Sequence, residues 1–255
     1  MRALFRATVR TPSIIVGDTN DRFLRWGWFT VDARQPCDIE VDIRHRALPF
    51  SDNFVARIYA SHVLEHLNDA QLTHFLGEAY RVLRPNGVIR IVVPDLQLFV
   101  ESYLRDGLEL HFDRPASTEI CGVSIRDGLR SSIAAGKVDP DALLPHNGLV
   151  AVVASFTDGT PPLTVPRAEF DAHFSVSDLD TFVTWAVGLR PAGHDDDLGH
   201  RNGFTYRRLA DFLRRAGFSN VCRGFYNDPF AQSDFAGLDL ADKQHISLYV
   251  CGGKR

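Results

Sequence analysis

Short apolar runs punctuate the first hundred residues at 13–16, 28–31, 39–43, 57–60 and 88–93, each rich in Val, Ile and aromatic side chains. Runs of that length without strict alternation suit strands buried on both faces of a mostly parallel sheet. Between the fourth and fifth runs the spacing changes to that of a helix. Asn68 or Asp69 can cap it, Gln71 supplies the reciprocal partner, and Leu72, Phe75, Leu76, Ala79 and Leu83 recur on one face. Pro85-Asn86-Gly87 ends it. A second amphipathic helix opens at Asp95 and fades near Gly107. A third runs from the cap Thr205 through Leu209, Phe212, Leu213 and Ala216 to Gly217. Two late runs, 221–225 and 246–250, read as closing strands, and the alternation as a whole predicts an α/β protein.

Residues 108–201 break the alternation. They hold clusters of Pro, Gly and Asp, a strand-like stretch at 149–156 and one good helix in which Leu179, Phe182, Val183 and Ala186 share a face. We read 1–107 with 202–255 as the core and 108–201 as an insertion. Ligands of open α/β sheets bind at the carboxyl ends of the strands, where such excursions act as lids and substrate-recognition segments. A packing extension without ligand contact is the alternative.

Composition narrows the function. Lys and Arg total 28 against 32 Asp and Glu, a net charge of -4, which gives no general attraction for nucleic acid or an anionic membrane. A small-molecule substrate is expected, and the oligomeric state stays open, a homo-oligomer included. Cys37, Cys121, Cys222 and Cys251 form no C-x-x-C pair, which argues against a zinc ribbon or disulfide framework and fits a reducing compartment. The first residues lack a long apolar stretch, and the longest later run, 149–154, is too short to span a bilayer. A cytoplasmic protein is expected.

The residues with most character lie between 47 and 95: Leu48-Pro49-Phe50, Tyr59-Ala60-Ser61-His62-Val63-Leu64-Glu65-His66-Leu67, and Glu78-Ala79-Tyr80-Arg81-Val82-Leu83-Arg84-Pro85-Asn86-Gly87. In order and type they resemble class I S-adenosylmethionine-dependent methyltransferases, closest to a small bacterial branch with a Ser-His-Val-Leu-Glu-His-Leu segment. The resemblance covers roughly 14–104 and 204–250. It implies a Rossmann-like, mostly parallel seven-stranded sheet with helices on both faces and a lid-like insertion, with S-adenosylmethionine as cofactor. It also implies methyl transfer to a small molecule such as a sugar or specialised metabolite. The alternatives are the same fold repurposed for a non-methylating reaction such as cyclisation, or a noncatalytic accessory subunit.

Candidate site residues sit at strand ends. Asp32, closing the second run, is placed to accept both ribose hydroxyls. The resemblance sets Asp42 and Ile43 against the adenine, and Ser61 and His62 along the methionine end. The family's glycine-rich first turn is reduced here to Val16-Gly17-Asp18-Thr19-Asn20, so Gly17 and Asp18 are the candidates for the turn, with Gly17 avoiding a Cβ that would meet the ligand. His62 is a candidate general base, or else a structural histidine. His200, in His200-Arg201-Asn202-Gly203-Phe204-Thr205, either acts on the acceptor or caps the helix that follows. His62-x-x-Glu65-His66 resembles a metal-binding spacing, but a zincin needs a long helix around it, and here a strand precedes and the helix begins only at Asn68, so no metal is expected. Glu65 and His66 are expected to satisfy backbone groups of the turn. The run Asp195-Asp196-Asp197 reads as a solvated loop.

Overall fold

The computed structural model describes residues 11–17, 27–109, 125–194, 198–228, 231 and 234–255, and divides into two compact units, Met1–Val93 with Tyr206–Arg255, and Pro94–Thr205. In the first, seven strands form one sheet: β1 (Ser13–Val16), β2 (Trp28–Asp32), β3 (Ile39–Glu40), β4 (Val55–Ser61), β5 (Leu83–Pro94), β6 (Ser219–Gly224) and β7 (Ser247–Gly253). Their order is β3-β2-β1-β4-β5-β7-β6. The pairs β1–β2, β1–β4, β2–β3 and β4–β5 are parallel, and β6–β7 is antiparallel. The chain winds outward from β1 to β3, returns, and restarts at β4 on the other side of β1. The strand order therefore reverses between β1 and β4, which is where an open α/β sheet takes its ligand.

Helix α1 (Asp69–Val82) follows β4. Asn68 caps it with the reciprocal box: its side chain accepts from the Gln71 amide at 2.9 Å and its own amide donates to Gln71 Oε1 at 3.1 Å. The helix stops at Val82, three residues before the expected Pro85. Leu83 is already extended, and β5 runs twelve residues with Asn86 in the left-handed region at φ 62°. The third strand is shorter than expected, ending at Glu40, so that Asp42 and Ile43 lie in a turn beyond it.

Two of the segments that carry the pattern, 48–50 and 78–87, are bonded to each other across 30 positions of sequence. Glu78 and Arg81 on α1 grip the loop that carries Leu48-Pro49-Phe50: Leu48 N donates to Glu78 Oε2 at 2.9 Å, and Arg81 donates to the carbonyls of Leu48 and Phe50 at 3.0 and 2.9 Å. Arg81 also pairs with Glu78 and Asp52 at 2.8 and 2.7 Å. The two halves of the pattern are thus one hydrogen-bonded clamp.

On one face of the sheet Ile15, Tyr59, Val92 and Tyr249 pack with Phe235 and Leu238 of the segment between β6 and β7. That segment is fixed by a fully buried ion pair, Arg90 with Asp239 at 2.6 Å; Arg90 also donates to the Phe225 carbonyl, and the Tyr59 hydroxyl donates to the Leu238 carbonyl. Helix α7 (Tyr206–Arg215) is followed by Gly217, whose φ is 103° and where an added Cβ would come within 3.0 Å of the Tyr80 ring.

The second unit holds α2 (Leu96–Asp106), α3 (Ile125–Ala134), α4 (Pro145–Val153), α5 (Arg167–His173) and α6 (Leu179–Gly188). Asp95 caps α2, accepting from the Gln97 amide, and Gly107 ends it in the left-handed region, as the sequence predicts. The strand expected at 149–156 is instead the helix α4. A short all-apolar run suits either element, and Pro145 at the first turn together with burial on every side decides for helix. Phe170 sits at the centre of this unit, with Tyr103, His146, Phe174, Phe182 and Trp185 around its ring. Phe170 and Phe182 are buried core residues. Gly203 is required here as well: a Cβ would come within 2.9 Å of Val153 and 3.2 Å of Val183.

Candidate functional site

Parallel register assembles the candidate residues of the core. Val16 of β1 is level with Val31 of β2 on one side and with Ala60 of β4 on the other. The next residue on each strand is Asp32, Gly17 or Ser61, so these three form one row across the carboxyl ends of β2, β1 and β4. Adjacent strands lie about 4.8 Å apart, so the row is about 10 Å wide, and it straddles the point where the strand order reverses.

Gly17 has φ 78°, and its amide donates to the Val31 carbonyl at 2.9 Å. A Cβ built on it would lie 1.9 Å from Val63 Cγ2. The glycine is therefore demanded by the protein itself, through backbone conformation and through Val63, before any ligand is considered. Asp18 lies outside the described residues.

Asp32 is half-buried at the rim, and its Oδ1 accepts from the Arg34 amide at 2.8 Å. This bond orients the carboxylate at the end of β2. Asp42 is more heavily committed. Arg44 donates to it through Nε at 2.9 and 3.1 Å and through Nη2 at 2.8 Å, and the Arg44 amide adds a bond at 3.0 Å. The Arg44 guanidinium holds its carboxyl below the usual range, against the opposing effect of partial burial. An adenine amine at Asp42 would share the carboxylate with Arg44. Ile43, next to it, is buried.

Ser61 closes β4 with its Oγ buried and without a hydrogen-bond partner among the described residues. A buried hydroxyl left unpaired carries a desolvation penalty of about 1–3 kcal/mol, which a polar ligand atom in the crevice would relieve. This orphan fits the methionine end of the cofactor, and Asp32 fits its ribose.

His62 adopts φ 53°, a conformation that costs a non-glycine residue about 1–2 kcal/mol and persists because the ring is tied at both ends. Nδ1 lies 3.1 Å from Glu65 Oε1, and Nε2 lies 2.9 Å from Ser247 Oγ, which itself donates to the Lys243 carbonyl at 2.7 Å. Glu65, expected to serve the turn's backbone, reaches the His62 ring. The segment is a single 3-10 turn, Leu64–His66, rather than part of a long helix. Glu65 was detectable at i+3 from His62. Ser247, 185 residues away, gave no local signal.

His200 belongs to the second unit. Its Nδ1 lies 2.8 Å from the Val152 carbonyl and its amide donates to Ser155 Oγ at 3.1 Å. The ring thus caps the end of α4, where the sequence suggested the helix after Thr205.

Residues 7–91 match the family model of the methyltransferase domain. Among solved structures, the chain is similar to a SAM-dependent methyltransferase from Archaeoglobus fulgidus at 12% identity and TM-score 0.44, covering 100% of this chain and 95% of that one. It is also similar to one from Methanosarcina mazei at 11% identity and TM-score 0.44, covering 99% and 96%. A third, from Mesorhizobium loti, has 13% identity and TM-score 0.42, covering 99% and 96%. A search of curated proteins found no match. Among the described residues no helix is long and apolar enough to cross a membrane. Residues 7–91 are thus similar to the methyltransferase domain, and they lie in a unit whose strands follow the order of an open α/β sheet.

Proposed function

We propose that the protein transfers the methyl group of S-adenosylmethionine to a small-molecule acceptor, a sugar or a specialised metabolite. The observation that carries this reading is the row of Asp32, Gly17 and Ser61 at the reversal of strand order, with a buried hydroxyl in it that has no hydrogen-bond partner among the described residues. The cofactor supplies a methyl already activated on a sulfonium. The protein's part is to bind, to align the acceptor and, for a hydroxyl acceptor, to take its proton. In this reading Asp32 accepts from the ribose hydroxyls, Ser61 Oγ meets the methionine end, and Gly17 supplies the left-handed backbone that follows β1. The Asp42–Ile43 turn serves the adenine. His62, with both ring nitrogens engaged, acts as a fixed wall of the pocket, so it is not our first choice as base. His200 remains a candidate for the acceptor's proton. We assign acceptor choice to 108–201, on the ground that this segment interrupts the alternation of strands and helices, the kind of excursion that carries substrate recognition in open α/β proteins.

Calorimetry with S-adenosylhomocysteine tests the reading. Asp32→Ala should weaken binding by about 1.5–3 kcal/mol, the range for a hydrogen bond to a charged group, with the melting temperature of the free protein unchanged. Wild-type protein that binds neither S-adenosylmethionine nor S-adenosylhomocysteine would sink it. It would favour a repurposed fold, for which Val63 packed against the first turn is the supporting feature.

A further inference from the structure

Twenty-nine positions separate Cys222 from Cys251 in the sequence, yet the antiparallel β6–β7 ladder sets them directly opposite each other. Opposed residues of an antiparallel pair point to the same face, with α-carbons about 4.5 or 5.5 Å apart according to the type of pair. Both separations fall within the roughly 4.4–6.8 Å that a disulfide accepts. Both cysteines are free thiols. Their surroundings differ in a way that assigns each a role. Cys222 is exposed, whereas Cys251 is partly covered and receives a hydrogen bond from Arg90 Nη1 at 3.4 Å.

We propose that Cys222 and Cys251 are a reversible oxidation site, closing a cross-strand disulfide when the protein meets a peroxide. The exposed thiol is attacked first, because reactivity follows access and thiolate character. The Cys222 thiolate takes one oxygen of hydrogen peroxide, the O–O bond breaks, and hydroxide leaves to become water. Cys222 is then a sulfenic acid, oxidised by two electrons. Cys251 loses its proton and attacks the Cys222 sulfur; the S–O bond breaks and the departing hydroxide takes that proton as a second water. Two thiols and one peroxide thus give one disulfide and two waters. Burial pushes the Cys251 thiol up, with the Arg90 charge opposing it. That keeps Cys251 unreactive towards the oxidant itself, while the guanidinium faces its sulfur as the proton departs. The bond would pin both ends of the segment that carries Phe235 and Asp239. Cys37, buried near the backbone of Asp32, has no such neighbour among the described cysteines.

The test uses the full-length reduced protein. After hydrogen peroxide treatment and blocking with N-ethylmaleimide, digestion without reductant should yield one linked pair, the Cys222 and Cys251 peptides. Free thiols per denatured chain should fall from four to two and recover with dithiothreitol. Cys222→Ser, at an exposed position, should remove the linked pair, and Cys251→Ser should leave a sulfenic acid at Cys222 that dimedone traps. The proposal is overturned if Cys222 links to another cysteine, within or between chains. It is equally overturned if wild-type Cys222 accumulates as the dimedone adduct while Cys251 stays free, or if neither cysteine is oxidised.

Discussion

Gly17 offers the sharpest test of how the first turn is built, because two separable penalties meet there. Replacing it with Ala keeps the chain in a left-handed conformation at φ 78°, worth about 1–2 kcal/mol against an L-residue. It also drives a Cβ to 1.9 Å from Val63 Cγ2. Valine is stiff at χ1 and cannot swing away cheaply, so overpacking adds about 1–3 kcal/mol. Gly17→Ala should therefore lose about 2–5 kcal/mol in urea unfolding, read as a drop in midpoint at constant slope. Val63→Ala removes the atom in the way and leaves only Cβ, 3.0 Å distant. In a double-mutant cycle the second change should return the overpacking part, a coupling of about 1–3 kcal/mol, and leave the backbone part. Zero coupling, or a Gly17→Ala loss below about 1 kcal/mol, would refute the packing account. Titrating the double variant with S-adenosylhomocysteine then asks whether the glycine also serves the ligand: lost binding in a stable protein would show that it does.

Three further outcomes are expected. Arg90→Met should destabilise by about 3–5 kcal/mol, because it strands the buried Asp239 carboxylate; restored stability in Arg90→Met with Asp239→Leu would identify the pair, and an unaffected single variant would exclude it. Glu78 is held below the usual carboxylate range, chiefly by its hydrogen bonds from Arg81, so its contribution is complete above an unfolded-state pKa of about 4.3 and is lost as pH falls through the lower folded value; Glu78→Gln should flatten acid unfolding in that window, and an unchanged profile would count against the clamp. Ser247→Ala should release the His62 ring, seen as a shifted Nε2 signal in nitrogen-15 spectra, without altering the far-ultraviolet circular dichroism; an unmoved signal would mean that the 2.9 Å contact does not hold the ring.

Much of the architecture is local and was legible in the chain. The capping box at Asn68 and Gln71, the Asp95 cap and the Gly107 and Gly217 stops are all satisfied within a few residues of themselves, so type and spacing suffice to read them. Asp32 and Ser61 fall at strand ends, as expected, because a parallel α/β sheet sends its strand ends to one edge, so position along a strand already implies position on that edge. What tertiary structure decided are the pairings between distant residues. An all-apolar run at 149–153 carries no periodicity, and burial in the second unit made it a helix. Arg90, buried in a strand, is neutralised by Asp239, 149 positions on. Gly17 read as room for a ligand, but Val63 fills the space beside it. His62 read as a base or a structural histidine, and Ser247 from the last strand occupies its second nitrogen. Cys222 and Cys251 read as scattered thiols, and only the register of the final hairpin made them neighbours. In each case the deciding interaction depends on which segments the folded sheet brings together, and side-chain type and spacing along the chain do not encode that distance.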